Sequence, residues 1–169
     1  MLSLSRHARA LSIVPLLLLT GAAPELPPSL PEIDLIRVHK AQRSMELYAD
    51  GQIAGVIENI QLGDAPVGPK HFEGDERTPE GRYRIDWGNP DSGYHLSLHI
   101  SYPDAQDIAY AAAHGRSPGG MIMIHGQPNS LPFGRVPGDW TDGCIAVTNE
   151  EMDALWDAVP DGTPIEIGA

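Results

Sequence analysis

Apolar and polar residues alternate in short runs through most of the chain, and this pattern predicts several strands and few helices. Runs rich in branched and aromatic residues lie at 33–39, 43–49 and 52–57, and Asp50-Gly51 separates the last two. An Asp-Gly pair between such runs is a strong signal for a β-hairpin. Further runs, each of which predicts a strand, lie at 82–87, 95–101, 121–124, 144–147 and 163–167.

Two segments have the pattern of short helices. Residues 103–114 are rich in alanine, with aspartates near the beginning and Gly115 just past the end. Thr148 followed three positions later by Glu151 is a capping box, which predicts a helix beginning there. Its apolar face would contain Met152, Leu155, Trp156 and Val159. The pattern as a whole predicts an α+β domain that is mainly β.

Two long stretches, 63–80 and 126–142, are rich in glycine, proline and polar residues, which predicts loops. Loops of this length in a compact domain are uncommon and are usually functional or disordered.

The N-terminus predicts export. Residues 1–23 contain Arg6 and Arg9, then the apolar run 10–19, then Gly21-Ala22-Ala23, which is the layout of a signal peptide. The apolar run is shorter than the roughly 20 residues that cross a bilayer. We therefore expect a periplasmic protein with no stable membrane insertion after cleavage. A proline-rich linker would follow at 24–32, and a single domain would occupy 33–169.

Charge narrows the range of partners. Cleavage after Ala23 would remove two of the 11 basic residues and none of the 23 acidic ones, leaving nine against 23, a formal charge of −14. Such a balance repels nucleic acid and anionic lipid, so neither is an expected partner.

The chain has one cysteine, Cys144, which cannot form an internal disulfide. It is either an inert buried thiol or a nucleophile. An oxidising compartment damages a free thiol, which favours a working residue. Zinc is a third possibility, but the sequence has no CxxC, HExxH or HxH spacing, and we expect no metal.

His125 is the candidate base for this thiol. It ends one predicted strand while Cys144 begins another, so pairing of the two strands would bring imidazole and thiol together. Gly143 permits a sharp turn before the cysteine, and the amides of Gly143 and Cys144 are candidate donors to a developing oxyanion.

These residues resemble a known family. His125-Gly126, a loop, and then Thr141-Asp142-Gly143-Cys144 are similar to the His and [S/T]-H-G-C motif of L,D-transpeptidase catalytic domains of the YkuD type. The segment 74–83 resembles that family's T-P-x-G-x-[YF] strand entry. The resemblance covers roughly 33–167 and implies an L,D-transpeptidase fold, with mixed β-sheets in a sandwich and a few short helices.

The resemblance also implies a reaction. The Cys144 thiolate would attack the diaminopimelate carbonyl of a peptidoglycan stem tetrapeptide, release D-alanine and form a thioester, which an amine then resolves to give a cross-link or an exchanged terminal residue. The Gly126 carbonyl would orient His125. Neither a metal nor an organic cofactor is implied.

Two departures point to the YafK-like branch of the family. Asp142 replaces the second histidine of the motif, and Ala146 stands where an arginine is common. Some proteins of this branch hydrolyse a peptidoglycan peptide linkage, which is the alternative function. Asp142 would either pair with His125 as imidazolium or accept local hydrogen bonds in the turn.

Three further residues are candidates for binding substrate. His99, which shares a predicted strand face with His95, and Arg77 would contact stem-peptide carboxylates. Trp140 would form a groove wall or lid. The competing interpretations are a solvated strand face, a solvated arginine and packing of the loop on the core.

Overall fold

The computed structural model describes residues 26–27, 29–131 and 133–169. The predicted signal peptide, 1–23, lies outside these residues. Within the described part, the strands are β1 (Leu35–His39), β2 (Ser44–Ala49), β3 (Gln52–Glu58), β4 (Gly81–Asn89), β5 (Ser97–Ile100), β6 (Met123–His125), β7 (Ile145–Ala146) and β8 (Pro164–Gly168). The helices are α1 (Ala105–Ala113) and α2 (Asn149–Ala158). The predicted α+β, mainly β class is confirmed.

The strands form a mixed sheet in the order β3-β2-β1-β8-β4-β5-β6-β7. Two pairs are parallel, β1 with β8 and β6 with β7, and the other neighbours are antiparallel. The chain that follows β3 then reaches the opposite edge, where Gln61 bridges to Ala146 and Gly63 to Thr141. The sheet is therefore curled, and the short strand β7 is flanked on both sides by main chain.

One apolar cluster packs against the curled sheet, and both halves of the sheet and α2 contribute to it. Ile36, Leu47, Ile100 and Ile145 are fully buried in it. Burying a side chain of this size stabilises the fold by about 1.5–3 kcal/mol. A continuous core of this kind holds β6 and β7, the strands next to His125 and Cys144, in fixed positions.

Local signals in the sequence predicted two details well. Asp50 and Gly51 both have positive φ, at 49° and 73°, as a two-residue hairpin turn of type I′ requires. In the capping box of α2, the Glu151 amide donates to Thr148 Oγ1 at 3.2 Å, and the Thr148 amide donates to the Glu151 carboxylate at 2.7 Å. Both predictions are confirmed.

The strand predicted from residue 95 begins two residues later, at Ser97. His95 has a φ of 68°, outside the strand region, so the expectation that it shares a strand face with His99 is wrong. Two long-range contacts hold it there, from its amide to Asn129 Oδ1 at 2.7 Å and from its ring to Asp153 at 2.6 Å.

The described part of the predicted linker lies against the domain. Leu26 and Leu30 pack on the core, and a Cβ at Gly55 would lie 2.8 and 3.1 Å from their Cδ2 atoms. Among the described residues, no helix has the length and apolar character needed to span a membrane.

A buried lysine fastens the loop 63–80 to the sheet. Lys40 is 2% exposed, and its Nζ donates to the carbonyls of Gly68 and Thr78 at 2.7 and 2.9 Å. It also contacts the Glu80 carboxylate at 2.9 Å. Because the loop later packs against the turn before Cys144, this anchor supports the site from a distance.

Replacing Lys40 with methionine should lower the free energy of unfolding by about 2–4 kcal/mol, because two carbonyls and a carboxylate lose their charged donor. Urea denaturation measures this change. The control is Arg82→Met, which removes an 87% exposed partner of Glu166 and should cost less than about 1 kcal/mol. Equal losses in the two variants would contradict the assigned anchor.

Candidate active site

Parallel pairing of β6 with β7 brings His125 and Cys144 together. In the register of this pair, His125 lies opposite Ala146 and Ile124 lies opposite Ile145. Cys144 comes one position before β7 and is therefore diagonal to His125 across the two strands. Residues two apart on a strand share a face, which puts both side chains on the same side of the sheet. Both line one cleft of about 430 Å³.

His125 is buried, with 4% of its surface exposed. Its Nδ1 lies 2.7 Å from the Gly126 carbonyl, and since a carbonyl oxygen can only accept, Nδ1 carries the proton. Nε2 is then the unprotonated nitrogen. Burial lowers the pKa of His125, and the bond to Gly126 opposes this only in part. The imidazole is therefore neutral near pH 7, as a general base must be.

Two aromatic rings enclose the imidazole. The centroids of Tyr94 and Trp140 lie 4.7 and 5.6 Å from that of His125. The indole Nε1 of Trp140 is buried and has no hydrogen-bond partner among the described residues. An unsatisfied buried donor costs about 1–3 kcal/mol, so the position of Trp140 is imposed by the loop that carries it.

Burial also raises the pKa of the Cys144 thiol. The Met123 amide, which donates to Sγ at 3.4 Å, lowers the pKa, whereas the charge of Asp142 raises it and that of Lys70 lowers it. The net direction is upward. At neutral pH the resting sulfur is a thiol, which requires a base in order to react.

The turn before Cys144 is built by close backbone contact. Gly143 has a φ of 126°, and a Cβ there would lie 2.5 Å from the Arg77 carbonyl oxygen, so only glycine fits. Its amide donates to Thr141 Oγ1 at 3.2 Å, and that hydroxyl donates to the Cys144 carbonyl at 2.7 Å. The Cys144 amide has no partner in the described part of the chain. Of the two predicted oxyanion donors, the Cys144 amide is thus available and that of Gly143 is occupied.

Asp142 takes neither of the positions expected for it. It is exposed and forms no ion pair with His125 within the described residues, and the local hydrogen bonds of the turn are made by Thr141. Asp142 lies between the catalytic cleft and a second cleft of about 410 Å³, which Lys70 and Glu76 also line.

The remaining predicted residues are dispersed. Trp140 lines the catalytic cleft, whereas the Arg77 guanidinium lies beside Gly68 and only its carbonyl touches the catalytic turn. His99 lies on β5, about 6–7 Å along the strand from Ser97, which lines the cleft.

A β-bulge in β4 holds His99 in place. The register shifts between Ile85 and Trp87, so that Asp86 and Trp87 both meet His99. The Asp86 carboxylate lies 2.6 Å from Nδ1, and the Trp87 ring stacks at 4.8 Å.

Tyr94 and Lys70 are site residues that the sequence did not indicate. Tyr94 lines the cleft from the chain before β5, and Lys70 is buried, held by the Asp75 carboxylate at 2.9 Å. Neither belongs to a motif, and a polar loop such as 63–80 gives no signal that one of its lysines is buried.

Comparisons with known proteins point to one family. Residues 33–167 match the sequence profile of the L,D-transpeptidase catalytic domain (YkuD). YafK of Escherichia coli (strain K12), which is assigned as an L,D-transpeptidase, is 30% identical over 129 residues, 73% of this chain and 46% of that protein.

Two similar solved structures come from other bacteria. The helical cell shape determining protein Pgp2 of Campylobacter jejuni is 28% identical, with a TM-score of 0.64 over 82% of this chain and 50% of that one. Bd1075 of Bdellovibrio bacteriovorus is 26% identical, with a TM-score of 0.55 over 85% and 53%. The chain spans about half the length of these relatives.

Replacing Asp142 with asparagine should lower the pKa of Cys144, because the carboxylate charge raises it. The rate of alkylation by iodoacetamide, measured against pH, reports the thiolate fraction. We expect the midpoint to move to lower pH and the rate at pH 7 to rise roughly two- to fivefold. Asp157→Asn makes the same charge change on the exposed side of α2 and should leave the profile unchanged. A midpoint that stays in place in Asp142→Asn would show that the carboxylate does not act on the thiol.

Proposed function

The chain belongs to the L,D-transpeptidase catalytic domain family, and we propose that it uses Cys144 to transfer acyl groups between stem peptides of peptidoglycan. The observation that carries this proposal is the relation between His125 and Cys144. A neutral imidazole with Nδ1 occupied and Nε2 unprotonated shares one cleft with a protonated thiol. This arrangement suits a base that is to activate a nucleophile.

In the first half-reaction, His125 Nε2 accepts the Cys144 proton as sulfur attacks the diaminopimelate carbonyl of a stem tetrapeptide. The oxyanion that forms accepts a hydrogen bond from the Cys144 amide. The C–N bond to D-alanine then breaks, and the imidazolium gives its proton to the leaving amine. The products are a thioester on Cys144 and free D-alanine.

In the second half-reaction, an amine of another stem peptide or a D-amino acid attacks the thioester. His125 accepts a proton from the attacking amine and returns one to the departing sulfur, so the enzyme is restored. Asp142, Glu73 and Glu76 give the neighbouring cleft a negative wall, and Lys70, which also lines it, is paired with Asp75. This charge favours the approach of a cationic amine, which supports transfer to an amine over transfer to water.

Hydrolysis is the second candidate function, and the motif itself supports it. Asp142 and Ala146 depart from the usual pattern at the positions two before and two after Cys144. Water would then resolve the thioester and leave a shortened stem peptide, or would cleave another peptide linkage of the wall.

His99 and Trp140 are the proposed substrate contacts. Nδ1 of His99 donates to the Asp86 carboxylate, which leaves Nε2 as an acceptor for an N–H group of the stem peptide. Trp140 forms a wall of the cleft. The polymer substrate supports a periplasmic location, together with the signal peptide predicted at 1–23.

Purified protein incubated with stem tetrapeptides and a D-amino acid should give exchanged tetrapeptides or cross-linked dimers, detected by mass spectrometry. Cys144→Ala should abolish them, and His125→Ala should slow them by about 10²- to 10⁴-fold, because the thiol loses its base. The control His114→Ala, at an exposed histidine after α1, should leave the rate unchanged.

Tripeptides or released peptides without exchange or dimers would indicate the hydrolase instead. A Cys144→Ala variant as active as the wild type would exclude both cysteine mechanisms.

A further inference from the structure

Two buried glutamines join the catalytic strands to the loop above them. Gln127 follows the His125-Gly126 pair directly and is 1% exposed. Gln61 is 6% exposed, and its main chain pairs with Ala146 in both directions, at 2.9 and 2.8 Å. The two residues therefore flank β6 and β7, the strands next to the reactive groups.

Every polar group of the two amides is used. Gln127 Nε2 donates to Gln61 Oε1 at 3.0 Å and to the Val147 carbonyl at 2.7 Å, while its Oε1 accepts from the Val136 amide at 2.9 Å. Gln61 Nε2 donates to the carbonyls of Val136 and Gly138. A residue without both donors and an acceptor cannot replace either glutamine.

The same stretch of chain holds the loop as far as the catalytic turn. The amides of Trp140 and Thr141 donate to the Leu62 carbonyl at 3.2 and 3.1 Å, and the Leu62 amide donates to Asp139 at 2.9 Å. Residues 136–141 are thus fixed to residues 61–62 by main-chain bonds and by the glutamine pair. The beginning of this tethered segment depends on Gln61 and Gln127.

The segment carries Trp140, whose buried indole N–H has no partner among the described residues. Because this side chain makes no hydrogen bond of its own, what holds it over His125 is the path of the main chain together with contact to Tyr94, whose ring centroid lies 5.7 Å away. A release of the tether would therefore move the indole and widen the cleft.

We propose that Gln127, acting through Gln61, is a positioning residue that fixes residues 136–141, and with them Trp140, over the catalytic imidazole. The cleft is then formed before substrate arrives, and a stem peptide enters a site of fixed width. This assignment rests on the proposed function, since it gives Trp140 a role in acyl transfer.

The test compares Gln127→Met, which keeps length but removes all polar groups, with Gln106→Met at an exposed site on α1. In a Trp87→Phe, Trp156→Phe background, Trp140 is the remaining tryptophan, and acrylamide quenching measures its exposure. The rate at which a carbapenem acylates the thiol reports whether the cleft keeps its shape. The rate of alkylation by iodoacetamide reports the reactivity of the thiol itself.

In Gln127→Met we expect stronger quenching of Trp140 and carbapenem acylation slower by about 10- to 100-fold, because the walls of the cleft have moved. Iodoacetamide alkylation should keep its pH profile and stay within about twofold, since His125 remains oriented by Gly126. Gln106→Met should match the wild type in all three measurements. Gln61→Met should give the same results as Gln127→Met. If Gln127→Met does not fold, Gln61→Met serves as the test variant.

Unchanged quenching in both glutamine variants would overturn the proposal, as would an alkylation profile that shifts together with acylation. If the wild type is not acylated at all, the proposed function fails instead, and the quenching measurement alone still decides whether the glutamines position the loop.

Discussion

The parallel pairing of β6 with β7 is the constraint on which the site depends. Parallel neighbours cannot be joined by a tight hairpin and need a crossover of about a dozen or more residues. The loop 126–142 is that crossover, so its length follows from topology before any role in binding is considered. Because it leaves β6 directly after His125 and leads into the turn before Cys144, it passes over the cleft, and this places Trp140 beside the imidazole.

A two-residue strand at the edge of a sheet has little to hold it. Here the main chain of Gln61 stabilises β7 from its far side, so Cys144 leads into a strand that is hydrogen-bonded on both sides. The turn before Cys144 is fixed in addition by the Arg77 carbonyl, which leaves no room for a side chain at Gly143. These contacts come from parts of the chain that are far apart in sequence. The rigidity of the catalytic turn is thus a property of the whole curled sheet.

How much the sequence predicted depends on the range of the interaction involved. The Asp50-Gly51 turn, the Thr148–Glu151 capping box and the pairing of β6 with β7 rest on neighbouring residues or on two adjacent strands, and their patterns were sufficient. The start of β5 was missed because His95 is held by Asn129 and Asp153. Tyr94 and Lys70 were missed for the same reason, since only the folded sheet brings Tyr94 to the catalytic cleft and Lys70 to the second cleft.

The position of β8 has a consequence for biosynthesis. This strand comes last in chain order among those described, yet it lies between β1 and β4 in the middle of the sheet. Until it emerges from the ribosome, β1–β3 and β4–β7 have no main-chain connection across that gap. The nascent chain therefore remains unable to complete its core while most of it is being synthesised. Complete folding of the domain therefore follows the synthesis of β8 and cannot accompany that of the earlier strands.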